Sequence, residues 1–335
     1  MKSLKRIWAV AGLTAAQGLR QPLFFMLFFA AAGLVALSPK FAVFHLNEGA
    51  KMVTDLGLST ALTFSSLLAL LTASATVSDE IDGRTALTML SKPLRREEFI
   101  LGKYLGVALC AAAFNLLLST VLLATHRGQL FDDSVDAYFA NGVLWAAVVM
   151  LAVFGGGMGV RLLAHRGWGA AGWFWAAYAA ATAVLLLYLP HKPQNFSTNL
   201  MVSPRWDFRL LTGLLFTALH ACVLSAFAVA LATRLTLVQS AIGTAAFFVL
   251  GHASGMLLSP FRNAENSLSV AGLFVRGILP DLDQFNVTDA LANAYIDAPL
   301  PIPWDVTAGA AAYAACYSIA LLALAAGLFA NRELS

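Results

Sequence analysis

The sequence predicts an all-α polytopic membrane protein of about eight transmembrane helices (six to eight), preceded by a helix lying in the membrane interface. Three observations carry that prediction. Of 335 residues, 59% are hydrophobic and only 12% are charged, against about a quarter charged in soluble domains. Asp, Glu, Lys and Arg are absent from eight stretches: 21–39, 56–78, 104–126, 137–160, 167–191, 210–233, 235–261 and 306–331. Each is 19 to 27 residues long. About 20 apolar residues cross the hydrocarbon core, and a charge at the centre of such a helix costs roughly 2.5–3.5 kcal/mol. The remaining charges also sort by side. If the N-terminus is cytoplasmic, the inner pieces hold 13 basic and 6 acidic residues and the outer pieces 8 and 12. Both termini are therefore expected in the cytoplasm, with the chain in the plasma (inner) membrane.

The elements follow in order. Residues 1–20 carry Lys2, Lys5 and Arg6 ahead of an apolar run. Leu4, Trp8, Ala11 and Ala15 share one helical face, which fits an interfacial helix better than a signal peptide, since no convincing small-x-small cleavage site precedes Gln17. Residues 21–335 then form one transmembrane domain. Its first span is short, with Pro22 in the tolerated first turn and Pro39 at the exit. Spans six and seven are separated by Arg234 alone, with Thr233, Thr236, Gln239 and Ser240 marking a tight turn. The stretch 137–191 gives a fourth and fifth span. Trp168, Trp173, Trp175 and Tyr178 serve there as interfacial anchors and packing groups, and Gly155, Gly156, Gly157 and Gly159 permit close helix approach.

Two hydrophilic segments interrupt the spans. The outer one, 262–305, has six acidic and two basic residues and reads as a solvated acidic lid. Asp281, Asp283 and Asp289 lack a calcium-binding spacing. The inner one, 78–103, reads SDEIDGRTALTMLSKPLRREEFILGK, with five basic and five acidic residues. Gly83 permits a sharp turn, and Lys92-Pro93 ends a short apolar helix because proline disfavours the helical conformation before it. Such a charged, partly apolar segment suits docking to a soluble partner as well as it suits a solvated loop.

The run from Glu80 to Lys103, E-x-x-G-R-T-A-x-x-x-L-x-K-P-x-x-R-x-x-F-x-x-G-K, resembles the segment joining the second and third spans of ABC-2 type permeases. Within that family it is most similar to the subgroup containing the nitrous-oxide-reductase maturation permease. The amphipathic start, GLFANREL at 327–334 and LPDLDQFNVTDAL at 279–291 resemble the family more loosely. The family usually has six spans, so 137–191 reads as an inserted hairpin. The resemblance implies that 78–103 couples the permease to a separate ATPase, through Asp79, Glu80, Gly83, Arg84, Lys92, Pro93, Arg95, Phe99 and Lys103. It implies two partners besides the lipid bilayer: a P-loop ATP-binding subunit carrying ATP and magnesium, and a second permease subunit as homodimer or heterodimer. No cofactor of this chain's own and no nucleic-acid partner is expected. The only Gly-Lys pair, Gly102-Lys103, follows Glu97 where a phosphate-binding loop needs glycine.

Other classes rest on polar residues inside the spans. Only His220 and His252 are ionisable and well inside, with no interior carboxylate, lysine or arginine, which weighs against a stand-alone secondary transporter or channel. Each histidine is expected neutral and bonded to helix backbone, and Asn115 is expected to bridge helices. Ser59 in GLST and His252 in GHASG weakly resemble the motifs of rhomboid-like serine proteases, whose nucleophile needs its histidine within hydrogen-bond reach. Cys110, Cys222 and Cys316 are expected to be buried free thiols.

Overall fold

The computed structural model describes residues 2–41, 49–82, 95–131, 150, 152–157, 159, 170–188, 209–261, 269, 272, 280–293 and 302–330. These residues form helices, short turns and no strand. Ten α-helices are described: α1 Lys2–Gly18, α2 Pro22–Phe41, α3 Gly49–Asp82, α4 Arg96–Phe131, α5 Ala170–Tyr188, α6 Arg209–Ala232, α7 Leu237–His252, α8 Ser254–Leu258, α9 Thr288–Asn293 and α10 Trp304–Ala330. Single 3₁₀ turns stand at Ser259–Phe261 and Asp283–Phe285.

Five of these helices are long and apolar enough to cross a membrane, over Pro22–Pro39, Lys51–Val77, Glu97–His126, Leu210–Ala232 and Trp304–Leu328. A sixth crossing arises if α7 and the piece after it count as one span, but that pair is bent by 62°. The seventh charge-free stretch is thus a broken helix rather than a straight rod, with the break at Ala253. The fourth predicted span falls largely outside the described residues.

The bundle is built around α3, α4 and α6, which pack against one another; α2 lies on α3 and α4, and α10 on α6 and α4. In the crossing windows 67% of the residues of α3 and α6 are buried, against 22% for α10, so the first two are central and α10 is peripheral. Phe24, Phe25 and Phe28 of α2 meet Phe114 of α4 and Phe174 of α5, with Phe25 and Phe174 4.8 Å apart between ring centroids and Phe28 and Phe174 5.3 Å. Aromatic pairs at such spacing add to the area they bury. The described parts of the expected 137–191 hairpin join here. Phe154 stacks towards Phe29 at 5.5 Å, and a Cβ on Gly157 would fall 2.1 Å from the Trp173 ring. Close approach is therefore the role of Gly157, while Gly155, Gly156 and Gly159 face open space.

Three expectations are corrected by the packing. First, α4 begins at Arg96, so its charged first turns belong to the bundle. Glu98 and Lys103, expected on a charged segment outside the spans, are buried against neighbouring helices. Second, part of the outer segment is not a solvated lid. Leu282, Phe285, Thr288 and Leu291 are all buried, and a Cβ on Gly251 would lie 2.4 Å from Leu282. A residue turned inward at every third position lets this stretch plug the bundle while Asp283 stays exposed and Asp281 half-buried. Third, among the cysteines only Cys110 is buried; Cys222 is half-buried and Cys316 exposed, because α10 turns one side away from the bundle.

Candidate functional site

The expected coupling segment straddles two helices. Its start continues α3, whose helix runs to Asp82, and its end opens α4. Gly83, Arg84, Lys92 and Pro93 lie outside the described residues, as do the side chains of Asp79 and Glu80. Arg95 is exposed at the mouth of α4, whereas Phe99 and Lys103 point inward. Of the nine expected coupling residues, the described part therefore leaves Arg95 open to a partner and makes Phe99 and Lys103 part of the helix packing.

Local sequence explains how α4 starts. Arg95 precedes the helix, and its backbone N–H donates to Glu98 Oε2 at 3.2 Å, the reach-back of a capping box. The same carboxylate accepts a hydrogen bond from Ser3 Oγ at 2.6 Å and pairs with Arg6 Nη1 at 3.5 Å. Glu98 thus ties the first turn of α4 to the first turns of α1. One helical turn on, Lys103 Nζ donates to the Thr76 carbonyl of α3 at 3.4 Å and lies 5.7 Å from the centre of the Phe99 ring. A buried ammonium is tolerated where carbonyl oxygens and an aromatic face replace water.

The link between α1 and α4 continues as a seam. A Cβ on Gly102 would lie 2.6 Å from Val10 Cβ and 3.1 Å from the Ile7 carbonyl. On Gly106 it would lie 2.5 Å from Thr14 Cβ and 2.8 Å from the Ala11 carbonyl. On Gly18 of α1 a Cβ would lie 2.9 Å from Cys110 Sγ. Glu98, Gly102, Gly106 and Cys110 recur every four residues and so form one stripe. Their partners climb α1 in step, so the two helices run parallel. The small-x-x-x-small spacing Gly102–Gly106 was the available sequence signal for this seam. It buries Val10, Ala11, Thr14 and Gly18 of α1 and leaves Leu4, Trp8 and Leu13 exposed. The predicted apolar face is thus split: Ala11 is inside, while Leu4 and Trp8 are outside.

A second polar group lies deeper. Thr217 Oγ1 donates to Asn115 Oδ1 at 2.9 Å, and Asn115 Nδ2 donates to the Ala111 carbonyl at 3.1 Å. Asn115 therefore bridges α4 and α6 as expected. One turn along α6, His220 Nδ1 sits 2.9 Å from Ser66 Oγ of α3, and the His252 ring lies 5.1 Å away between centroids. His252 bonds helix backbone, the Phe248 carbonyl at 3.0 Å, whereas His220 is held by a side chain. Ser59 is exposed on α3, and the buried serine–histidine contact is Ser66 with His220 through Nδ1. Serines at helical interiors give no sequence signal that separates Ser66 from its neighbours Ser59 and Ser65.

The break after His252 is held by the plug. Leu282 N–H donates to the Gly251 carbonyl at 3.3 Å, Ser254 Oγ donates to Asp281 Oδ1 at 3.1 Å, and the Asp281 N–H donates to Tyr313 Oη at 2.9 Å. At the other end of the bundle the Arg234 guanidinium donates to the Leu328 carbonyl, joining the α6–α7 turn to the end of α10.

The described fold and these sites define an all-helical bundle with five or six helices fit to cross a membrane. Comparison with protein-family models and with curated proteins finds no match.

Proposed function

We propose that this chain is the permease subunit of an ATP-driven ABC-2 type transporter, working as an exporter, and that segment 78–103 receives the movement of a separate P-loop ATPase. The observation that carries this reading is the run Glu80–Lys103, whose residue pattern resembles the family's coupling stretch. The arrangement around it supports the reading mechanically. The segment leaves from one long helix, α3, and returns on another, α4. The return point is tied to α1 by Glu98 and to α3 by Lys103. A push on the segment is therefore delivered to three helices. Glu80, Arg84 and Arg95 would set the orientation of the docked ATPase, and Phe99 and Lys103 would pass its movement on.

In this reading the chain crosses the bilayer eight times, α1 is the interfacial elbow, and a second permease subunit completes the pathway. Two contacts support the sidedness. Ser3 and Arg6 lie beside Glu98, all in pieces that the charge count puts in the cytoplasm, and Arg234, also counted there, lies beside Leu328 at the end of the last span that leads into 332–335. Purification of the detergent-solubilised protein from its native membrane is expected to recover a P-loop ATPase. Replacing 83–94 by a neutral linker, with Glu98, Phe99 and Lys103 kept, is expected to lose it. Unchanged recovery would overturn the docking role. A second reading, a stand-alone secondary transporter or channel, draws on the buried His220–His252 pair, since intramembrane ionisable groups often carry coupled ions. Transport into liposomes without ATP is its signature.

A further inference from the structure

The charge pattern makes Arg20 the boundary of the first span, but the packing places it deep along the bundle. Residues 7–39 hold no other charge, and the structure runs this whole stretch along α4. Ser3 meets Glu98, Val10 is beside Gly102, Thr14 beside Gly106 and Gly18 beside Cys110. Phe24 and Phe28 then reach Phe114, at 5.7 and 6.1 Å between ring centroids. Both α1 and α2 therefore climb α4 in one direction, with an elbow at Leu19–Gln21. Arg20 falls level with the turn between Cys110 and Phe114, near the middle of the charge-free run 104–126. The helix rises about 10 Å from Lys103, the last charge before that run, to Cys110. On the α3 side the neighbour is Thr72, whose Cγ2 would lie 3.1 Å from a Cβ on Gly18, well inside the run 56–78.

The bundle leaves that charge unanswered. The elbow's backbone closes on itself: the Arg20 N–H donates to the Gln17 carbonyl at 3.1 Å and the Gln21 N–H to the Gly18 carbonyl at 3.2 Å. The side chains of Gln17 and Arg20 are exposed and Gln21 is half-buried. Among the described residues the Arg20 guanidinium has no hydrogen-bond or ion-pair partner. The helix surfaces on either side of it are apolar, with Leu13 exposed two turns back on the same face of α1 and Met26 exposed on α2. An arginine facing hydrocarbon is costly, and it draws in headgroups and water until it is partnered. A second copy of this chain brings no acid to this depth, because none of the eight charge-free runs holds Asp or Glu. The phosphodiester of a phospholipid answers both features. Its oxygens match the planar guanidinium fork two at a time, and its acyl chains match the leucine and methionine surface. The N-terminus of α2, two residues on, adds positive potential.

We propose that the α1–α2 elbow is a phospholipid headgroup site, in which Arg20 holds the phosphate of one anionic lipid drawn below the level of its leaflet. The side-chain amides of Gln17 and Gln21 flank the phosphate and donate to its remaining oxygens. Occupancy anchors the elbow, and with it the seam between α1 and α4, to the leaflet on the α1 side. The site goes beyond the transporter reading and is independent of the coupling role of 78–103.

The test uses the full-length chain, stripped of lipid in detergent and titrated with phosphatidylglycerol, with native mass spectrometry counting the lipids retained. Wild type is expected to retain one lipid more than Arg20→Gln, which weakens that site about tenfold or more. Arg20→Lys keeps the charge without the fork and should fall between the two. Lys5→Gln removes an exposed cation elsewhere on α1 and should leave retention at the elbow unchanged. Unchanged melting temperatures show that the variants fold. Two arms need no variant. Diacylglycerol with the same acyl chains lacks the phosphate and should not be retained at this site. Excess inorganic phosphate lacks the chains and should not displace the lipid. Equal retention of phosphatidylglycerol by Arg20→Gln, or of diacylglycerol by wild type, overturns the proposal, and displacement by inorganic phosphate overturns a lipid as the occupant.

Discussion

The start of α4 and the end of α7 both bury polar groups, by opposite means. At the start of α4 the groups are charged and each is answered: Glu98 by Ser3, Arg6 and its own helix N-terminus, Lys103 by a carbonyl and an aromatic face. Glycine brings α1 so close that the seam leaves no room for a side chain. At the end of α7 the groups are two imidazoles, the packing is aromatic, and both Nε2 atoms lack a hydrogen-bond partner. The first region is a closed joint suited to carrying force. The second holds unmet hydrogen-bonding capacity.

Substitutions ordered by size of effect separate the two. The largest loss is expected for Gly106→Leu. Its new side chain meets the Ala11 carbonyl, which cannot yield without moving α1, and overpacking of this kind costs about 3 kcal/mol. Thermal unfolding in detergent, with a cross-link between α1 and α4 as the local readout, checks it. Gly12→Ala, which faces open space, should instead gain up to about 1 kcal/mol from helix propensity. If both variants behave alike, the seam is not a tight joint.

Leu282→Ala comes next, at about 2–3 kcal/mol, because a fully buried leucine leaves a cavity against Gly251. Protease accessibility of the 280–291 stretch should rise with it. An unchanged cleavage pattern would restore the solvated lid. Glu98→Ala removes three hydrogen-bonded contacts and should lower the melting temperature. Glu98→Gln keeps an acceptor for Ser3 and should lower it less; equal effects would show that only the charge matters. The smallest change belongs to Asn115→Leu. One hydrogen bond between membrane helices averages about 0.6 kcal/mol, so denaturant midpoints should barely move.

The helices themselves were legible. The charge-free runs 56–78, 210–233 and 306–331 fall within α3, α6 and α10 apart from the terminal residues Thr233 and Asn331. The turn around Arg234 stands where its polar residues put it, with the Thr236 N–H donating to Gln239 Oε1 at 3.3 Å. Asn115 could be read as a bridge because a lone amide among apolar residues has few other uses. The expected coupling run was legible only as a pattern. That Phe99 and Lys103 face inward while Arg95 faces out depends on where α3 and α1 lie. The bend after His252 was hidden because the residues around it are as apolar as those of a straight span.

Sequence alone therefore determined the helical class, the positions of the long apolar helices and the concentration of charge in 79–103. These are sums over neighbouring residues, and both helix formation and the cost of placing a charge in hydrocarbon are local. Only the tertiary structure decided that Glu98 and Lys103 are inside, that Gly102 and Gly106 seat α1, that Leu282 plugs the break, and that His220 finds Ser66 across 154 positions. Each of those outcomes depends on which surfaces meet, and a buried polar group is stable or strained according to a partner far away in the chain.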